Sequence, residues 1–135
     1  MFIMTAASTW QVKAQKCLSY EPSRVELEGT IKRRTFSGPP NYESVAKGDR
    51  REITWVLHLA RPICVSSNEE SPEEKNIRDL QLVFQAPEQE YERYRLLVGR
   101  KVVVTASLFQ AHTGHHHTKV LATVSNIELA KDREK

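Results

Sequence analysis

The chain has 135 residues, of which 39% are hydrophobic and 27% charged, with a formal charge of +3. That length holds one domain with its own core, and the composition excludes a disordered chain. It contains no apolar run long enough to cross a membrane, and its basic clusters, Lys32-Arg33-Arg34, Arg50-Arg51 and Arg100-Lys101, are not interleaved with stacking aromatics, so nucleic acid is not the expected partner.

Residues 1–16 are apolar and rich in small side chains but lack a basic lead. They read as a flexible segment or the remnant of a signal peptide, with Val12-Lys13-Ala14 as a passable cleavage site. Gln15-Lys16 directly before Cys17 argue against a lipid anchor. Two cysteines, Cys17 and Cys64, are too few for a zinc knuckle and are not spaced as a redox pair. In an exported protein they are expected to bridge the start of the fold to the end of the second strand; in a cytosolic one they are two small buried side chains.

Val25, Leu27, Gly29 and Ile31 alternate with polar residues and predict the first strand, with Gly29 marking a bulge or bend where a sheet curls. Residues 36–49 follow as a long loop, stiffened by Gly38-Pro39-Pro40. Ile53, Trp55, Leu57 and Leu59 form one face of the second strand and Thr54, Val56 and His58 the other; His58 reads as a satisfied surface residue, and Pro62 ends the strand or sets it at an edge. Residues 66–75 are a polar, acidic loop. Leu80, Leu82 and Phe84 mark the third strand. A short helix opens at Pro87, with Tyr91, Tyr94, Leu97 and Val98 on its packing face and Gly99 as its stop. The fourth strand spans 100–109, with Val102, Val104, Ala106 and Leu108 inward, and the fifth spans 119–129 before a charged tail at 130–135.

Five strands with a helix between the third and fourth is the order of an OB-fold, so the expected class is an all-β, OB-fold-like Greek-key barrel covering residues 17–129. In that fold the loops joining strands one to two and four to five flank one binding face. Here they are 36–49 and 112–118, and the second carries four of the five histidines around Gly114.

The strings Cys17-Leu18-Ser19-Tyr20-Glu21-Pro22, Gly38-Pro39-Pro40-Asn41-Tyr42-Glu43-Ser44 and Thr113-Gly114-His115-His116-His117-Thr118, with Pro62-Ile63-Cys64-Val65, resemble a family of exported bacterial domains of unknown function. The resemblance covers most of residues 17–129 and departs at Ser37, where proline is expected, and at Ala106, where glycine is expected. It implies a periplasmic or secreted protein and an oxidised Cys17-Cys64 pair. It implies no activity.

Three readings of the facing loops follow. Imidazoles bind zinc, copper or nickel, and His112, His115 and His117 with Glu43 or Asp49 would make a three-histidine, one-carboxylate set. Alternatively the histidines are structural and lock the two loops together. The preferred reading is a binding module without cofactor, in which Phe36, Asn41, Tyr42, Glu43, Asp49, His112, Thr113, His115, His116 and His117 form a rim for a protein, peptide, glycan or small ligand of the cell envelope. An inhibitor or immunity protein of an envelope enzyme is one form of it, and an OB-type nucleic-acid binder is the further alternative. No base-nucleophile pair or carboxylate pair can be argued from the sequence, so the reading leans away from an enzyme.

Overall fold

The computed structural model describes residues 16–131. The expectations for residues 1–15 and for 132–135 lie outside the described residues. The elements are β1 (Val25–Ser37), β2 (Arg51–Val65), β3 (Glu74–Val83), α1 (Pro87–Tyr94), β4 (Lys101–Gln110) and β5 (Val120–Leu129), with short 3-10 turns at Val45–Lys47 and Arg95–Leu97. The strands close a barrel in the order β1-β2-β3-β5-β4, with β1 returning to β4 and a parallel β3–β5 pair as the closing seam. This is the expected OB-like topology.

Period-two alternation makes the core. Ile31, Leu57, Leu80, Leu82, Val102, Val104 and Leu108 point inward and are almost wholly excluded from water. Each such side chain contributes about 2 kcal/mol through burial of its apolar surface. The helix closes one end of the barrel as an aromatic plug. Tyr91 stands edge-on to Trp55 at 4.7 Å and to Phe84 at 4.8 Å, and Tyr94 lies 6.3 Å from Phe84. The tyrosine stripe is therefore packing, and burial pushes the Tyr91 hydroxyl up. Gly99 takes φ 87°, the left-handed turn that ends the helical segment.

Gly29 is where the sheet curls. It pairs with Leu59 of β2 on one side and Val102 of β4 on the other, and a Cβ there would meet the His58 carbonyl oxygen at 2.3 Å. Only a residue without a side chain passes that close to a neighbouring strand.

Strand limits differ from the sequence reading in three places. β1 runs on through Thr35, Phe36 and Ser37, because these residues ladder with Ile53, Glu52 and Arg51. β2 continues past Pro62 to Val65, and a register shift between His58 and Ile63 accommodates the residue that has no N–H to give. β3 begins at Glu74, inside the expected acidic loop, where Glu74 pairs with Val65. Ala106, at the position where glycine was expected, sits at the register shift between Thr105 and Ala106 and is fully buried.

The segment before β1 is stapled to the barrel. Cys17 and Cys64 form a disulfide with their Cα atoms 4.7 Å apart, and Leu18 N–H donates to the Cys64 carbonyl at 2.8 Å. Tyr20 donates its hydroxyl proton to the Pro72 carbonyl at 2.8 Å and accepts from Gln110 Nε2 at 3.2 Å. Among the described residues no helix is long and apolar enough to cross a membrane. The bridge closes a sequence separation of 47 residues, so loop-closure entropy gives it a stabilisation of about 4 kcal/mol. Denaturant unfolding with and without a thiol reductant should differ by about that amount, and equal midpoints would show the bridge to be neutral.

Candidate functional site

The site begins with a row of residues that point out of the barrel. Trp55, Leu57 and Leu59 face the core, so Thr54 and Val56 face outward; by the same alternation Gln81 of β3, Leu121 of β5 and Phe109 of β4 face outward. The register joins Lys32, Val56, Gln81, Leu121 and Phe109 into one row around the barrel. Such a row should be wet. Yet Val56 is 1% and Leu121 0% exposed, and neither belongs to the interior core. The histidine loop covers them.

Gln81 fastens that loop. Its Nε2 donates to the His115 carbonyl at 3.1 Å and its Oε1 accepts from the His117 N–H at 2.7 Å. The Gln81 backbone N–H donates to Thr118 Oγ1 at 2.9 Å, and the Thr118 hydroxyl donates to the Val120 carbonyl at 2.8 Å. On the far side the loop rests on Phe109, whose ring is 5.3 Å from His116 and 5.8 Å from His112.

The opposing loop is held from within by Asp49. Its carboxylate accepts from the backbone N–H groups of Asn41 at 3.0 Å, Glu43 at 2.8 Å and Ser44 at 2.9 Å. These bonds, led by those of Ser44 and Glu43, hold the Asp49 carboxyl below the usual carboxylate range. The loop so formed places Tyr42 at φ 56°, a left-handed conformation that costs a non-glycine residue about 1–2 kcal/mol. The Tyr42 ring lies over Gly114, where a Cβ would come within 2.7 Å of it. It meets the His115 ring edge-on at 5.6 Å, with the hydroxyl 3.4 Å from His115 Nε2. The two loops meet, as the topology predicted.

Glu52 joins them. Its Oε1 accepts from His117 Nε2 at 2.8 Å and its Oε2 accepts from His115 Nδ1. Phe36, opposite Glu52 in the β1–β2 ladder, stacks flat on the His117 ring at 4.3 Å. Gly38 leaves room for the carboxylate, since a Cβ there would be 2.7 Å from Glu52 Cγ. Burial pushes the Glu52 carboxyl up, but the hydrogen bonds and charges of His117 and His115 outweigh it and hold the group below the usual range. Glu52 was missed at the sequence level. The available signal was its place in β2: once Phe36 is seen to be a strand residue, Glu52 is its cross-strand neighbour.

The four loop histidines divide into two pairs. His115 and His117 serve Glu52, whereas His112 and His116 lie together at 4.7 Å against Phe109. His116 Nδ1 accepts from the His112 N–H at 3.0 Å and the Thr113 N–H at 3.3 Å, so the ring is neutral with its proton on Nε2. Burial, then the charges of His112, His115 and His117, push this imidazole down. Thr113 closes the turn, its Oγ1 accepting from the His115 N–H at 3.2 Å. His112 is thus placed with His116 rather than on Glu52, and the Asp49 carboxylate is engaged by its own loop. Among the described residues no three His, Cys, Asp or Glu side chains are grouped to hold a metal ion. His58 pairs with Asp79 at 2.8 Å on the outer face.

The fold and site define an OB-type barrel whose customary binding face is covered by its own fourth loop. A family described as a domain of unknown function (DUF4431) matches residues 79–128, a span that holds Gln81 and the whole histidine loop. No curated protein matches the chain.

Two outcomes follow from this geometry. Glu52→Ala should lower the unfolding free energy by about 2 kcal/mol, because His117 is largely buried and loses a charged acceptor; urea titration of the two chains measures it. The pH dependence has a definite sign for His116 and for Glu52. His116 is neutral in the fold and titrates lower there than in the unfolded chain, so its contribution is complete above the unfolded value of about 6.5 and is lost as pH falls from there to the folded value. Glu52 also titrates lower in the fold, so its share is complete above the ordinary carboxylate range and is lost as pH falls through the depressed value. His116→Ala should therefore flatten the first, near-neutral decline in melting temperature and leave the acidic one.

Proposed function

We propose that the protein is an exported bacterial binding module without catalytic chemistry of its own. It recognises a protein, peptide, glycan or small ligand at the rim formed by loops 36–49 and 112–118. An inhibitor or immunity protein that plugs an envelope enzyme is one form of this role. The observation that carries the reading is the locked junction of Glu52, His115, His117 and Phe36, with Tyr42 standing beside it at the surface, 37% exposed. A rim already ordered in the free protein binds without the entropic cost of freezing two loops. Export is supported by the Cys17–Cys64 disulfide.

Metal binding is the competing reading, and what favours it is the convergence of two imidazole nitrogens on one carboxylate. A transition metal would have to draw His115 and His117 off their hydrogen bonds to Glu52. The two readings separate experimentally. Crosslinked capture from envelope extracts should single out one partner, and Tyr42→Ala or His115→Ala should weaken its capture at least tenfold with the melting temperature kept within a few degrees. Capture that is indifferent to both changes would remove the rim as the binding site. Stoichiometric uptake of zinc, copper or nickel, lost in His117→Ala and reversed by a chelator, would move the assignment to a metal protein.

A further inference from the structure

The β1–β2 ladder outruns the barrel. β1 pairs with β4 only as far as Thr30, and β2 pairs with β3 only from Val56 onward. Beyond those points the two strands pair with each other out to Ser37 and Arg51, as a two-stranded ribbon. Alternation divides its side chains. Lys32, Arg34 and Phe36, with Glu52 and Thr54, take the face that carries the histidine loop. Arg33, Thr35 and Ser37 take the other face, opposite Trp55, Ile53 and Arg51 respectively. On that second face Trp55 is buried beneath the helix, but Ile53 is 53% exposed and lies between Arg33 and Arg51. Arg50 follows in the connecting loop.

Lys32, Arg33, Arg34, Arg50 and Arg51 are all exposed, and among the described residues none of them makes an ion pair. The one carboxylate on the ribbon, Glu52, lies on the face of Lys32 and Arg34 and is engaged by two imidazoles. At the opposite end of β1, Glu26 and Glu28 lie with Glu128 of β5, and there the carboxylates have cations beside them, Lys101 pairing with Glu28 at 3.5 Å. The cations of the ribbon, by contrast, have no such partners among the described residues.

We propose that the ribbon is a docking surface for an anionic phospholipid layer, with Arg33, Arg50 and Arg51 among the headgroups and Ile53 at their apolar boundary. Charged residues on an exposed strand edge often serve only to block pairing with other strands. That role accounts for Lys32, Arg33, Arg34 and Arg51 on the strands but not for Arg50 in the connecting loop, nor for an isoleucine exposed beside Arg51. A linear polyanion offers phosphates to these cations but no apolar layer to Ile53. A headgroup layer takes Arg33, Arg51 and the tip at Arg50 together, and its apolar boundary accommodates the exposed isoleucine.

The test is co-sedimentation of the full, oxidised chain with vesicles of mixed phosphatidylglycerol and phosphatidylcholine, and with phosphatidylcholine alone, at physiological salt. Partition is expected into the mixed vesicles only. Each cation near the surface strengthens it about fivefold, so Arg33→Ser with Arg51→Ser should weaken it roughly 25-fold. Ile53→Ser should weaken the part that persists at high salt. Arg50→Ser, outside the ladder, should act like either single change and guards against a fold defect, which the melting temperature also reports. No partition, equal partition into both vesicle types, or partition unchanged in these variants would overturn the proposal. Tight binding of a single-stranded oligonucleotide without vesicle partition would overturn it in favour of nucleic acid. None of these residues belongs to the rim around Tyr42, so the result is independent of partner capture there.

Discussion

The Glu52 carboxylate accepts from His117 and His115 on its two oxygens, and in doing so it ties β2 to a loop more than sixty residues further along the chain. A half-buried carboxylate is costly unless its lone pairs are filled, and exposed imidazoles are mobile unless their N–H groups find an acceptor. Each side supplies what the other lacks. Once that bond set forms, Phe36 has a flat ring to stack on, Tyr42 has a backbone to cover at Gly114, and Val56 and Leu121 have a roof. The outer face acquires a small core of its own.

The barrel beneath determines which residues can take part. Gly29 lets β1 pass between β4 and β2, and the change of partner carries the remainder of β1 beyond the barrel as a ribbon. Phe36 and Glu52 are cross-strand neighbours only because the ladder continues to Ser37. The same continuation exposes Lys32, Arg33, Arg34, Arg51 and Ile53 on the ribbon. One backbone feature thus builds both the rim that meets the histidine loop and the basic surface beside it. The disulfide and the Tyr20–Gln110 bond brace the segment before β1.

The loop histidines look alike in sequence but are different chemically. His115 and His117 donate to a carboxylate, whereas His116 accepts from two backbone N–H groups and is therefore kept neutral. Asp49 resembles His116 in this respect: its polar atoms are consumed by its own loop, so it shapes the rim without presenting its charge to a ligand. Among the predicted rim residues, Asn41, Tyr42, Glu43, His112, Thr113 and His115 remain exposed to a partner.

Alternation of apolar and polar residues was enough to read the five strands, the inward row of β4 and the packing role of Tyr91 and Tyr94, because burial of one face per strand is a local pattern. The order of those elements, with a helix after the third strand, was enough to infer the barrel and to bring residues 36–49 near 112–118. Three things were not legible. The Gly38-Pro39-Pro40 turn signal masked the continuation of β1, since ladder bonds to β2 override local turn propensity. Glu52 carried no mark, because a glutamate in an alternating strand is ordinary until its cross-strand neighbours are known. The division of four near-adjacent histidines into two pairs was hidden as well, because it depends on which side chains three other strands present beneath the loop. Sequence by itself determined the elements, their order and the loops that meet; tertiary structure alone decided which polar groups satisfy one another, since hydrogen-bond partners are set by positions in space that local periodicity does not encode.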